Sequence, residues 1–424
     1  MSEPRWAEQF GERWTTPEGV AAQIPNRATF VTGLIEPTAI LEALAQRKDA
    51  EGKALVAVSG MGTLALGQTG RFRIVTSFAS PVFEILSKEG VSEYLPAVFS
   101  DAERVFREAK PACILLRLSP PDAAGRCSYG WSSAFSPHLF ENAQRAGLPL
   151  FAEIDPAMPW TRSGLEVPVE ALDAVCLASG DAASDAPAPP SRHAEKIGGY
   201  LDELVPDGAT LQVGIGSVPD AAVECLSARQ LGIHTEVLSR GLARLVASGQ
   251  ADGSQKSEDL GMVVCTIASV DPEVRALIED VSRTEVRASN RVLDPRVVAR
   301  HDKMRCINSA MAVDLRSQVN AETIGWNQVA GVGGQLDFFR GAGLRSDALR
   351  IIALGSTTSK GESRIVASHP AGSVVTATRY DVDVVITEHG IAWLRDQTDE
   401  ARARALIEIA DPAHREGLRQ SRFG

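Results

Sequence analysis

The sequence predicts an α/β protein of two domains, each built on a mainly parallel sheet. A chain of 424 residues is too long for one ordinary core, so two domains of about 200 residues are expected. Its 36 glycines and few aromatics, 5% of the chain, suit tight strand-to-helix turns. Short apolar runs also alternate with stretches of helical periodicity, the pattern of repeated βαβ units.

Along the chain, Thr16-Pro17-Glu18 reads as a helix start running to about Gln23, with Thr16 as cap and Pro17 at the first helical position. Apolar runs at Ala28 to Leu34, Ala54 to Val58, Cys113 to Leu118 and Leu148 to Ile154 read as strands. Ile40 to Leu44 and Leu139 to Ala146 carry helical spacing between them. The small, polar, proline-rich stretch 180–190 reads as a linker, giving domains of residues 1–188 and 189–424. Two halves joined there leave a cleft, the usual place for a ligand. Beyond it, strands are expected at Thr210 to Val213, His234 to Leu238, Met262 to Ile267, Cys306 to Ala312, Leu349 to Leu354 and Val382 to Thr387.

The formal net charge of -11, with no long basic run to offset it, argues against nucleic acid or an anionic membrane as partner. An anionic small substrate stays compatible with a locally positive pocket. The six cysteines are widely spaced, with no C-x-x-C pair and no histidine cluster of metal-ligand spacing, so free thiols in a reducing cytoplasm are expected and no metal site is read. The N-terminus lacks an apolar core and cleavage site, and no stretch reaches the ~18 apolar residues of a membrane helix. A cytoplasmic protein that engages no membrane is expected.

Three segments could carry chemistry. Gly214-x-Gly216-x-x-Pro219 closes a strand and opens a helix read as Asp220 to Leu226. Such a turn suits a phosphate-bearing ligand, with Gly214, Ile215, Gly216 and Pro219 at its border. About twenty residues on stands Glu236, the position where a dinucleotide fold places its ribose-binding carboxylate. Pro219 replaces the third fingerprint glycine and counts against that role. Gly331-Val332-Gly333-Gly334-Gln335 could present backbone N–H groups to an oxyanion, or could be a hairpin or bulge needing positive φ. Glu388, just past the strand Val382 to Thr387, would either point into the ligand crevice or cap a helix from near Ile391. No G-x-S-x-G elbow is present, and Ser132-Ser133 has no identifiable histidine or acid partner.

Together these segments resemble a family. Ser119-Pro120-Pro121-Asp122, Gly214-Ile215-Gly216 with Pro219-Asp220, and Gly232-Ile233-His234-Thr235-Glu236 occur in the order of acetyl-CoA hydrolase/transferase proteins. Ile307-Asn308-Ser309-Ala310, the Gly331–Phe338 run, Ser363-Arg364-Ile365-Val366 and Thr387-Glu388-His389-Gly390 continue the order. The likeness is to the branch of 4-hydroxybutyrate and butyryl/acetate CoA-transferases, over about residues 15 to 420.

The resemblance implies two open α/β CoA-transferase domains with the active site between them, and a homodimer or higher homo-oligomer. It implies that Glu236 attacks an acyl-CoA thioester, passing through an acyl-glutamyl anhydride and a glutamyl-CoA thioester to a small carboxylic acid acceptor. Gly333 and Gly334 would stabilise the oxyanions, and Glu388 would face the acyl site. Gly331 and Lys360 would border coenzyme A, which is a substrate; no further cofactor is expected. Hydrolysis of acyl-CoA is the alternative on the same scaffold; a nicotinamide-dependent dehydrogenase or a non-catalytic CoA-binding protein is more distant. Leu293 stands where relatives commonly have asparagine, Arg240 where they have an acid, and Ala152-Glu153-Ile154-Asp155 replaces a pattern more often ending in asparagine. The apolar Leu293 hints at an aliphatic or aromatic acyl group.

Overall fold

The computed structural model describes residues 4–180 and 193–424. The linker and the 188/189 boundary read from the sequence lie among residues outside that description. The chain forms two compact units: Met1–Ser184 with Thr266–Val270 and Ile278–Asn290, and Asp185–Cys265 with Asp271–Leu277 and Arg291–Gly424. Among the described residues no helix is long and apolar enough to cross a membrane.

The first unit holds seven strands: β1 (Ala28–Thr32), β2 (Gly52–Val58), β3 (Phe72–Phe78), β4 (Ser92–Tyr94), β5 (Cys113–Leu118), β6 (Leu150–Ile154) and β7 (Ala174–Leu177). They lie in the order β4-β3-β2-β1-β5-β6-β7 and every neighbouring pair is parallel. Strands buried on both faces read as unbroken apolar runs, and β5 is buried throughout. Thr16 does cap the first helix, α1 (Pro17–Gln23), its hydroxyl accepting from Gly19 N–H at 3.2 Å. That helix and α2 (Thr38–Gln46) bury Val20, Ile24, Ile40, Leu41 and Leu44 against Phe30, Val56, Leu115 and Phe151. Each such large side chain contributes roughly 1.5–3 kcal/mol.

The second unit carries the expected βα alternation on six strands: β8 (Thr210–Val213), β9 (Gly232–Ile233), β10 (Met304–Asn308), β11 (Leu349–Ala353), β12 (Val384–Thr387) and β13 (Gly390–Trp393). Their order is β9-β8-β10-β11-β12-β13, parallel except for the last pair. The strand order reverses between β8 and β10. In open α/β sheets ligands bind beyond the carboxyl ends of the strands at such a point.

Five expectations are corrected. Met262 to Ile267 is two short strands, Val263–Cys265 and Ile267–Ala268, and Cys306 to Ala312 divides into β10 and a separate strand, Ala312–Asp314. The run His234 to Leu238 is not one strand: β9 ends at Ile233 and Val237–Leu238 forms a separate short strand, with Glu236 in the break. The helix after the glycine turn, α3 (Ser217–Val223), starts three residues early. Gly216, at φ +148°, turns the chain straight into it, and Pro219 falls in the first turn, where no N–H is needed. Residues 390–393 are strand rather than a helix capped by Glu388: Gly390, at φ +143°, reverses the chain so that Ile391 pairs with Ile386.

Candidate active site

Glu236 is fixed before its side chain is considered. Thr235 N–H donates to Val264 O at 3.0 Å, and its hydroxyl accepts from Val213 N–H at 3.3 Å, tying the break after β9 to β8. From there the Glu236 carboxylate meets the glycine turn, where Gly334 N–H donates to Oε2 at 2.8 Å. Gly331 opens this turn, and Gly333 sits at φ +56°, a conformation that favours glycine. A Cβ on Gly333 would lie 3.2 Å from Glu236 Oε1; one on Gly334 would lie 2.8 Å from Oε2 and 2.4 Å from Leu293 Cδ2. The glycines are there because the carboxylate lies against bare backbone.

Gly334 is also the residue before α4 (Gln335–Ala342), so Glu236 faces the free N–H groups and positive end of that helix. Glu236 keeps some exposed surface, enough to be reached, yet burial pushes its pKa up to about 7. The Gly334 hydrogen bond works against that shift, and the negative charge of buried Asp337 adds to it. A carboxylate poorly solvated in its charged form is a stronger nucleophile than one in water.

At the carboxyl ends of β8, β10 and β11 lies a pocket of about 360 Å³. Gly216 lines it, and Gly214 lies just before, against Asn308. A Cβ on Gly214 would sit 2.3 Å from Asn308 Oδ1, whose amide pairs with Gln212 across β8 and β10 at 2.9 and 3.1 Å. Ile215, Gly216, Val218, Ala310 and Met311 give it aliphatic walls; Ser309, His193, Thr357 and Arg364 are its polar lining.

Glu388 follows β12 and is held in a cluster of its own. Ser356 donates to it through N–H (2.9 Å) and Oγ–H (2.7 Å), and His193 Nδ1 lies 3.2 Å from Oε1. Burial raises its pKa, but the two Ser356 bonds and the His193 charge outweigh this and leave it below the usual carboxylate range. His389 Nε2 lies 3.7 Å from Glu388 and 3.8 Å from Asp411.

Residues 272–422 match the family described as the acetyl-CoA hydrolase/transferase C-terminal domain. The 4-hydroxybutyrate coenzyme A transferase of Clostridium kluyveri is 34% identical over 423 residues, covering 97% of this chain and 98% of that one. The chain belongs to the acetyl-CoA hydrolase/transferase family. The succinyl-CoA:cyclohexane-1-carboxylate CoA transferase of Geobacter metallireducens is 30% identical over 427 residues, covering 98% of this chain and 96% of that one. Among solved structures, RipA from Yersinia pestis superposes with a TM-score of 0.90 at 28% identity, covering 99% of this chain and 98% of that one. Membership sets aside the dehydrogenase reading.

Within this family member, the structure gathers Glu236, Gly333, Gly334 and Leu293 into one cluster and places Ile215, Gly216 and Val218 in the wall of the pocket. Leu293 is fully buried, with its Cδ2 beside Gly334. Pro219 is buried within α3. Lys360 is exposed on the turn Thr358–Glu362. Arg240 is not a pocket residue; its guanidinium pairs with Asp271, Nε at 2.8 Å from Oδ2. Glu153 lies in β6 of the first unit, fully buried, accepting Ile40 N–H at 2.7 Å, while Asp155 pairs with Arg117. Sequence reasoning missed Ser356, His193 and Arg364. Ser356 was within reach, since it follows the apolar run Leu349 to Leu354 just as Glu388 follows its own strand.

Proposed function

We propose that this chain is an acyl-CoA:carboxylate CoA-transferase in which Glu236 is the nucleophile. The hydrogen bond from Gly334 N–H to Glu236 Oε2 carries the reading, with family membership and the transferase names of its relatives in support. One Glu236 oxygen attacks the thioester carbonyl and displaces CoA thiolate, leaving an acyl-glutamyl anhydride. The thiolate attacks the glutamyl carbonyl, releases the donor acid and forms the glutamyl-CoA thioester. The acceptor carboxylate then attacks that thioester, displacing thiolate into a second anhydride. Attack of the thiolate on the new acyl carbonyl restores Glu236 and yields the new acyl-CoA.

In the two middle steps the carbon under attack is that of Glu236 itself. Its own oxygen then becomes the oxyanion, and Gly334 N–H already points at it. A preorganised donor of this kind is worth roughly 3–4 kcal/mol in the transition state. Donor, acceptor and enzyme all exchange acyl groups of similar energy, so the chain of steps closes without another reactant. Glu388, ionised by Ser356 and His193, is assigned to orienting the substrate.

The test is CoA exchange between acyl-CoA donors and carboxylic acids, with Glu236→Ala beside the wild type. The reading requires exchange in the wild type and its loss in the variant. Equally fast release of free CoA with no acceptor present would assign the hydrolase activity instead.

A further inference from the structure

His234 stands two residues before Glu236, and its ring is fully buried. Its Nε2 lies 2.7 Å from Val292 O. A carbonyl oxygen can only accept, so Nε2 carries the proton of this bond. The bond ties the break after β9, where Glu236 sits, to the residue before Leu293, and Leu293 in turn packs on Gly334. The same ring meets Phe338 of α4 edge to face, with centroids 6.1 Å apart, and tilts against His301 at 4.2 Å. Phe338 closes the first turn of α4, its N–H donating to Gly334 O at 3.0 Å. Two routes from one imidazole therefore reach Gly334, whose N–H donates to Glu236 Oε2.

We propose that His234 is a positioning residue for the Glu236 nucleophile, acting through its Nε2–H bond to Val292 O. The proposal rests on the reading of Glu236 as nucleophile. Glu236 leaves a strand break and Gly334 ends a turn of bare backbone, so neither has a regular ladder to fix its place. Gly333 and Gly334 also lack side chains with which to grip their surroundings. The register between carboxylate and donor must then come from neighbouring groups, and a buried hydrogen bond fixes direction as well as distance. That register matters because a shift of about 1 Å at a reacting group can cost ~10²-fold in rate. A histidine that only filled the core would add stability and leave the rate of the folded enzyme alone.

Exchange between butyryl-CoA and acetate is measured in the wild type, His234→Phe, His234→Gln and Glu236→Ala, with urea unfolding of each. Phenylalanine keeps a ring against His301 and Phe338 but has no donor; glutamine keeps an Nε2 donor but has no ring. His234→Phe should lose about 10²-fold in kcat while KM for both substrates stays within about threefold, and His234→Gln should recover about tenfold of that loss. Should His234→Phe not fold, His234→Asn, whose shorter amide stops short of Val292 O, is held to the same loss. A folded His234→Phe within about threefold of wild-type kcat, equal losses in the Phe and Gln variants, or a loss carried by KM overturns the proposal and leaves His234 a core residue. Exchange that is absent from the wild type, or that survives in Glu236→Ala, overturns the nucleophile reading and this proposal with it. Loss in Glu236→Ala beside an unchanged His234→Phe overturns the proposal alone.

Discussion

Replacing Gly334 by alanine adds one methyl group at the point where the glycine turn meets the Glu236 carboxylate. The backbone tolerates it, because Gly334 lies at φ -94°, a conformation open to any residue. The new Cβ would lie 2.4 Å from Leu293 Cδ2 and 2.8 Å from Glu236 Oε2. Leu293 can yield by a rotamer change, and overpacking of this kind costs about 1–3 kcal/mol of stability. Glu236 must also yield, and its 2.8 Å bond to Gly334 N–H lengthens or breaks. Losing one oxyanion donor lowers kcat by about 10²–10³-fold, and misplacing the nucleophile by about 1 Å can remove a further factor of ~10². The assay is kcat for exchange between butyryl-CoA and acetate, with urea unfolding in parallel. Adding Leu293→Val to the variant should restore stability without restoring kcat. A Gly334→Ala enzyme within about threefold of wild-type kcat, or full rescue of kcat by the second substitution, would refute the reasoning.

Three other predictions concern charge. With its pKa raised to about 7 and the carboxylate as the reactive form, Glu236 should give a kcat/KM that falls about tenfold per pH unit below ~7 and levels off above it; Asp337→Asn, which removes a charge that raises this pKa, should move the midpoint to lower pH. Glu153 is fully buried, and burial raises its pKa from 4.5 to about 8, against the lowering effects of Ile40 N–H and Arg117. A raised folded pKa means that its stabilising contribution is complete below pH ~4.5 and is lost as pH climbs through ~8. The ceiling is roughly 3.5 × 1.36, or about 5 kcal/mol, so denaturant titrations should show Glu153→Gln gaining on the wild type from pH 5 to 9; a constant difference would contradict this. Glu388 is the opposite case, its pKa lowered, with stability present above pH ~4.5 and lost on acidification. Ser356→Ala should therefore cost about 1–3 kcal/mol near pH 7 and progressively less as pH falls toward 3, measured by chemical unfolding.

Much of the fold is legible because buried parallel strands announce themselves as apolar runs: Cys113–Leu118 and Thr210–Val213 are strands over the residues expected. Thr16-Pro17 marks its helix because both capping groups are local in sequence. The failures have both distant and local causes. Nothing near Glu236 reveals that Thr235 will bond to Val213 and break the strand. Residues 390–393 return along β12 through a local hairpin at Gly390, a signal next to Glu388 that the helix reading overlooked. Family position carries no information on burial or pairing: Leu293 packs on Gly334 and Arg240 pairs with Asp271. Arg364 stands in a family motif without a role read from the sequence, and its place in the pocket lining becomes visible only once the strand ends are assembled.

The central claim is that Glu236 becomes covalently acylated. Incubating the protein with an acyl-CoA, adding borohydride or hydroxylamine, and mapping the product by peptide mass spectrometry tests it directly. Covalent catalysis by Glu236 requires modification at that residue which depends on acyl-CoA and is absent from Glu236→Gln. Turnover with several donors that leaves Glu236 unmodified, or that modifies another residue instead, would contradict it.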